Sequence, residues 1–346
     1  PELAGEMADK GLFRLLVPRS LGGAELSHLD FLRILKVFSE ADGSTAWSLN
    51  QNNVFATASV IIPEQTAREI WGDGRAVVAN GPPTSSVKAL PVDGGYRLSG
   101  RWNFSTGSPH ATWFAALVPM EHPGDQQDAS TGRVSTRIIL FPKEDATILD
   151  SWQVSGLRGT GSFGFEVDDL YVPSARTYEP TDAPREDGPL YVIPRTLLFA
   201  SGDATIALGI ARASLNTAID IAGTKTPGRF TNLLRDQSAT QRLIGEGEAI
   251  WHSAQAFINE SASSVWRSAC KRHAPPTKER IHYVLPAPSP FARRPRWLIF
   301  ATTCVVPAQY SRAIPFTAGF RTYMSSPNIF KGDPLTTKPP VGSFWA

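Results

Sequence analysis

The hydrophobic period of this chain changes twice, and that change limits what it can fold into. From Glu2 to about Trp71 apolar residues recur at helical spacing. Phe31, Ile34, Leu35 and Phe38 fall at i, i+3, i+4 and i+7, and Ser44-Thr45 starts a second helix that ends near Pro63. From about Ala76 to Pro173 the pattern becomes strands and turns. Asp93-Gly94-Gly95 reads as a hairpin turn, Thr136 to Phe141 as a strand, and Phe163, Phe165 and Val167 alternate with small or acidic residues, while the polar stretch Glu121 to Arg133 reads as a loop. Two long helices then return, from Thr196 to Ala222 and from Ser238 to about Val265. This order predicts an α+β multidomain protein, and 346 residues with 42% hydrophobic content suffice for sizeable cores.

Several function classes are set aside by composition. No apolar run approaches the ~20 residues of a membrane span, and no charged-then-apolar leader opens the chain, so a cytoplasmic protein is expected. Two cysteines, Cys270 and Cys304, support neither a disulfide framework nor a cysteine-rich metal site. The net charge of +2 hides an asymmetry: residues 271 to 346 hold 11 Lys or Arg, 2 Asp or Glu and 12 of the 28 prolines. That basic end lacks the interleaved aromatics of a nucleic-acid reader. A dinucleotide fingerprint G-x-G-x-x-G following a strand is also absent.

Two segments carry chemistry: Gly100-Arg101-Trp102-Asn103-Phe104-Ser105-Thr106-Gly107 and Gly156-Leu157-Arg158-Gly159-Thr160-Gly161-Ser162. Each sets glycines around small hydroxyl side chains and an aromatic or leucine. Such a backbone can approach a flat, polar-edged ligand closely while hydroxyls and N–H groups reach its heteroatoms. A flavin has that shape. Read from the residues themselves, Ser105 is a flavin contact or a turn serine before Gly107, Asn80-Gly81 borders a ligand or forms an ordinary turn, and Arg158 meets a ligand or a surface carboxylate.

With these segments on the page, the chain resembles the flavin-dependent monooxygenases built on the acyl-CoA dehydrogenase fold, the oxygenase components of two-component hydroxylases. The resemblance runs from about Glu2 to about Arg280. It is carried in order by Gly11-Leu12-Phe13-Arg14, Val17-Pro18, Gly22-Gly23, Ala41-Asp42-Gly43-Ser44, Ala46-Trp47, Gly94-Gly95-Tyr96, Ser99 to Trp102, Trp152, Gly156 to Ser162, Val172-Pro173 and Gly209 to Ala213. It implies an N-terminal α-helical domain over 1–75, truncated at its start, and a middle β-sandwich or barrel domain with the flavin site over 76–175. A connector over 176–195 and the first half of a C-terminal four-helix bundle over 196–284 follow.

What the resemblance implies for the site is specific. Ser105 lies within reach of flavin N5, with Phe104 and Thr106 flanking the ring and Asn80 and Gly81 along its edge. Arg158, Thr160 and Ser162 meet the pyrimidine edge or phosphate, and Arg195 the flavin or a substrate anion. Arg229 and Phe230 meet the flavin of a neighbouring subunit. Asn53 and Phe55 face the substrate, on a helix where the family commonly has a histidine and this chain has Asn50, Asn52 and Asn53. His110 is as readily a structural residue. The implied activity is aromatic or polycyclic hydroxylation by reduced FMN or FAD and O₂ through a C4a-hydroperoxyflavin, with no metal. Implied partners are a separate NAD(P)H:flavin reductase, a small aromatic substrate and three further copies in a homotetramer, with no nucleic acid and no membrane.

The alternative within the superfamily is an acyl-CoA dehydrogenase, which needs a placed carboxylate in the C-terminal bundle. Prolines 286, 288, 290, 295, 307 and 315 forbid the long helices the family carries there. Back-translated and read one base earlier, residues 309 to 331 permit a string close to the family's own, so a frameshift is expected from about 285 to 346, disrupting the bundle's second half. A third reading is therefore an inactive frameshifted homologue.

Overall fold

The computed structural model describes residues 2–120, 135–228 and 230–271. Four helices come first: α1 (Glu2–Asp9), α2 (His28–Ala41), α3 (Gly43–Ala56) and α4 (Glu64–Trp71). Asp42 separates α2 from α3. Its backbone, at φ −152°, leaves the helix, and its carboxylate accepts the Thr45 N–H at 2.7 Å, so one residue ends α2 and caps α3. The second helix thus starts at Gly43 and ends at Ala56, where a 3-10 turn over Thr57–Val60 leads toward Pro63. On α2, Phe31 and Leu35 enter a core shared with Leu49 and Val54 of α3.

Eight strands follow: β1 (Val78–Gly81), β2 (Lys88–Val92), β3 (Gly95–Ser105), β4 (Trp113–Met120), β5 (Ser135–Pro142), β6 (Thr147–Leu149), β7 (Phe163–Pro173) and β8 (Thr177–Tyr178). They form two four-stranded sheets, ordered β1-β4-β5-β8 and β2-β3-β7-β6. Among the described residues only β1 and β4 pair in parallel. The two-residue turn Asp93-Gly94 joins β2 to β3, with Gly94 at φ 74°. Between the sheets, Trp102 stacks on Phe165 at 5.0 Å and Phe114 on Phe165 at 4.3 Å. The Trp102 indole N–H donates to the Leu117 carbonyl at 3.0 Å, tying β3 of one sheet to β4 of the other. Trp102 is therefore packing.

The expected connector contains structure of its own. Thr177-Tyr178 pairs with Ile138-Ile139 of β5 and closes one sheet edge, and a short helix α5 (Pro189–Val192) follows. Two long helices come next, α6 (Arg195–Thr224) and α7 (Ser238–Cys270). α6 packs on α2, α3 and α7. Small residues permit this: a Cβ at Gly202 would overlap the Asn50 amide, and one at Gly209 the Ser39 hydroxyl. The architecture is the mixed α and β arrangement that the sequence pattern predicts. Among the described residues no helix is long and apolar enough to cross a membrane. The loop Glu121 to Arg133, Arg229 and the tail with its expected frameshift lie outside the described residues.

Candidate functional site

The end of β3 departs from regular pairing. Register with β7 shifts between Trp102 and Ser105, and Phe104 sits at φ 55°, a left-handed conformation that a bulky side chain adopts only under constraint. The bulge reverses the normal alternation locally. Phe104 stays 41% exposed, its ring edge-on to Trp152 at 6.1 Å, whereas Ser105 beside it is 0% exposed.

Ser105 Oγ has no hydrogen-bond partner among the described residues. A buried hydroxyl left so costs about 1–3 kcal/mol, and such exceptions in a folded chain call for a reason. Against it lies Gly81, at the end of β1. A Cβ there would overlap the Asn103 carbonyl and sit 2.5 Å from Ser105 Oγ, so only glycine fits. Asn80, partly buried, pairs through its backbone with Ala115 of β4.

The second glycine segment forms a 3-10 turn over Arg158–Thr160, bracketed by left-handed Leu157 and Gly161, each at φ 51°. It meets the first directly. Gly107 N–H donates to Thr160 O at 2.9 Å and Ser108 O–H to Gly161 O at 3.0 Å. A chain of side-chain bonds joins them further, and its direction can be deduced. Thr160 donates its one proton to the Leu157 carbonyl at 2.9 Å, so across 2.7 Å it is Ser162 that donates to Thr160. Ser162 has then no proton for Thr106, and across 2.9 Å Thr106 donates to Ser162. Trp47 of α3 completes the run, its indole N–H donating to Thr106 at 3.1 Å. Thr106, Ser162 and Thr160 are left as acceptors; Ser105 keeps a proton to give.

α3 faces this seam, and α6 packs on α3. Two residues expected to face substrate lie buried in the protein frame. Asn53 is fully buried, with Oδ1 accepting from Leu15 N–H at 2.8 Å and Leu16 N–H at 3.3 Å, and Nδ2 donating to Leu12 O at 2.8 Å and Leu49 O at 3.0 Å. All four of its bonding positions are used, three of them holding α3 to the segment from Leu12 to Leu16 and the fourth returning to α3 at Leu49. Phe55 packs in a core with Val17, Leu21 and Trp71. The structure puts Asn52 nearer the seam instead: its amide lies beside Gly107, at 3.1 Å from where a Cβ would be, and its buried Oδ1 has no partner among the described residues.

Sequence reasoning missed Asp203 of α6. Asn50 Nδ2 and Gln51 Nε2 donate to its Oδ1 at 3.0 and 3.3 Å. Burial pushes its carboxyl up to about 7, against the opposing pull of those two amides. Nearby, His28 of α2 is bonded to Ser201 at 2.8 Å, and burial holds its imidazole down at about 4, neutral near pH 7. Nothing in the spacing of α6 flags Asp203, because its meaning depends on which helix lies opposite.

The remaining expected residues scatter. Arg158 is exposed. Arg195 lies 5.2 Å over the Tyr178 ring, lines a separate cavity of about 250 Å³ with Tyr191 and Pro180, and has a buried Nη1 without a partner among the described residues. Phe230 is 60% exposed, and His110 is partly buried, with desolvation lowering its pKa. Among the described residues no group of His, Cys, Asp or Glu could hold a metal ion.

The family described as acyl-CoA dehydrogenase, C-terminal domain, matches residues 201–284. Indole-3-acetate monooxygenase of Pseudomonas putida is 31% identical over 258 residues, covering 74% of this chain and 64% of that protein. The flavin-dependent monooxygenase oxygenase subunit HsaA of Rhodococcus jostii is 28% identical, over 65% of this chain and 59% of that one. Among solved structures, XiaF from Streptomyces in complex with FADH2 and glycerol superposes with a TM-score of 0.80 at 22% identity, covering 93% of this chain and 82% of that chain. The fold is acyl-CoA dehydrogenase-like. The chain is similar in sequence to the two monooxygenases named and spans about three-fifths of the length of each.

Proposed function

We propose that this chain is the oxygenase component of a two-component hydroxylase, binding reduced FMN or FAD and using O₂ to hydroxylate a small aromatic molecule. A separate NAD(P)H-dependent reductase would supply the reduced flavin, in keeping with the oxygenase-subunit designation of the HsaA relative. A cytoplasmic homotetramer is the assembly proposed, with Arg229 and Phe230 reaching the flavin of a neighbouring subunit.

The observation that carries this reading is Ser105 Oγ, buried and without a partner among the described residues, beneath a glycine that admits no side chain. These residues fit a flavin because its ring needs both hydrogen-bond polarities along one edge, and the seam supplies one donor beside several acceptors. When bound, the reduced flavin would supply the electrons that activate O₂ for transfer of one oxygen atom to the substrate ring. Ser105 would donate to a ring nitrogen, while Thr106 and Ser162 accept a ring N–H. Thr160 holds Ser162 in place. Phe104 would cover the ring, Gly81 and Asn80 would border its edge, and Arg158 would meet its pyrimidine or phosphate end. Arg195 would hold a flavin or substrate anion. The sandwich and α3 would keep water from the reacting atoms.

Substituting Ser105→Ala tests the reading. The variant should bind reduced flavin yet release more H₂O₂ per product than the parent; unchanged coupling would count against the assignment. Adding an acyl-CoA to the oxidised holoprotein should leave the flavin band intact, and bleaching would favour a dehydrogenase instead.

A further inference from the structure

The helix expected to bear a proton acceptor carries asparagines, which cannot take a proton at neutral pH. The structure places a group that can on the helix opposite. We infer that Asp203 is the proton acceptor for an acidic O–H or N–H of the aromatic substrate. This inference rests on the monooxygenase reading above.

One oxygen of Asp203 is anchored and the other is open. Asn50 Nδ2 and Gln51 Nε2 both donate to Oδ1, and Oδ2 takes no bond among the described residues. The Asn50 amide cannot be turned around, because its Nδ2 also donates to the Phe199 carbonyl at 3.3 Å and both partners are acceptors. Anchoring fixes the direction of the open oxygen without charging it further, since neither amide carries charge.

The helix stripes that carry Asp203 and Gln51 each lead to a residue beside the glycine and hydroxyl seam. On α6, Ile210 lies two turns beyond Asp203 on the same stripe. Its Cδ1 would sit 2.7 Å from a Cβ on Gly43, where Leu157 Cδ2 of the second glycine segment would be 3.5 Å away. On α3, Gln51 lies one turn beyond Trp47, whose indole is bonded to Thr106. Asp203 and the flavin-facing hydroxyls therefore bound the same side of the α3–α6 pair.

The surroundings leave Asp203 electrically isolated. His28 of α2 is neutral and bonded to Ser201, and no charged group is among the causes of the Asp203 shift. From α3 come only the two amides. On α7, Glu248 is engaged by Arg212 at 2.7 and 2.8 Å, more than two turns along α6. Desolvation accordingly sets the Asp203 carboxyl near 7, where it can both take and return a proton. In the step proposed, the substrate X–H bond breaks, the proton goes to Oδ2 and the electron pair stays on X. This enriches the ring for attack on an electrophilic oxygen, and the proton returns to X as product leaves.

The test uses the full chain loaded with reduced flavin under anaerobic conditions, with phenol as probe. Infrared difference spectra should show a protonated carboxyl band that titrates near 7, is missing in Asp203→Asn and moves in frequency in Asp203→Glu. Phenol should displace that titration to lower pH by donating to the carboxylate. Asp203→Asn should bind phenol at least about tenfold more weakly with flavin affinity unchanged, and Asp203→Glu should recover part of the loss. A titration that ignores phenol would mark Asp203 as structural and overturn the inference while leaving the flavin reading intact. Failure to take up flavin at all would instead sink the reading of the seam.

Discussion

The seam between the two glycine segments and the helical wall of α3 and α6 treat buried polar groups in opposite ways. In the seam, Trp47, Thr106, Ser162 and Thr160 pass hydrogen bonds in one direction until every proton is used, and Ser105 alone among these stays open. In the wall, Asn50 Oδ1 and Asn52 Oδ1 are buried without partners among the described residues, and Asp203 has a free oxygen. Satisfied groups build a rigid frame; unsatisfied ones mark where something else must bind. Asn52 and Asn53 show the contrast within one turn of helix, one with an idle carbonyl and the other with all four bonds made.

The comparison can be broken most forcefully at its base. Trp102→Ala removes the residue that joins the sheets beneath the seam, and chemical denaturation should show a loss of about 3–5 kcal/mol. A loss under about 1 kcal/mol would mean the seam is not supported from below. Next in size is Ser162→Ala, which leaves Thr106 without an acceptor and Thr160 without its donor; about 1–3 kcal/mol should be lost.

Asp203→Asn should have the opposite sign, and only at higher pH. A carboxyl raised in the folded state from 3.8 to about 7 is stabilised by its proton. The carboxylate therefore destabilises the fold fully above about 7, progressively less between 7 and 3.8, and not at all below. Melting at about pH 8 should show the variant more stable by roughly 1–2 kcal/mol, with no gain at about pH 4. Smallest of all is Ser105→Ala, which deletes a group with no partner. Relief of that unpartnered hydroxyl should raise stability by about 1 kcal/mol, opposite in sign to Ser162→Ala beside it.

Much of the frame was legible in the sequence, because local rules set it. The stripe on α2, the Asp93-Gly94 turn and the alternation at Phe163, Phe165 and Val167 all appear where spacing places them. β8 escaped notice because two residues are too few to show a period. The site was legible only as segments. That Thr106, Ser162 and Thr160 bond each other, while Ser105 does not, depends on a bulge at Phe104 that no spacing announces. Asn53 and Phe55 misled because helix position alone does not say which face is buried. Asp203 was invisible for the complementary reason, needing Asn50 and Gln51 opposite it to stand out.

The most direct measurement is an anaerobic titration of the folded chain with reduced FMN and FAD, run beside Gly81→Ala. The parent should bind one of the two flavins, and the variant, whose added methyl would press on Asn103 and Ser105, should bind at least about 100-fold more weakly. If the folded parent takes up neither flavin, reduced or oxidised, or if Gly81→Ala binds as tightly as the parent, the seam is not a flavin site.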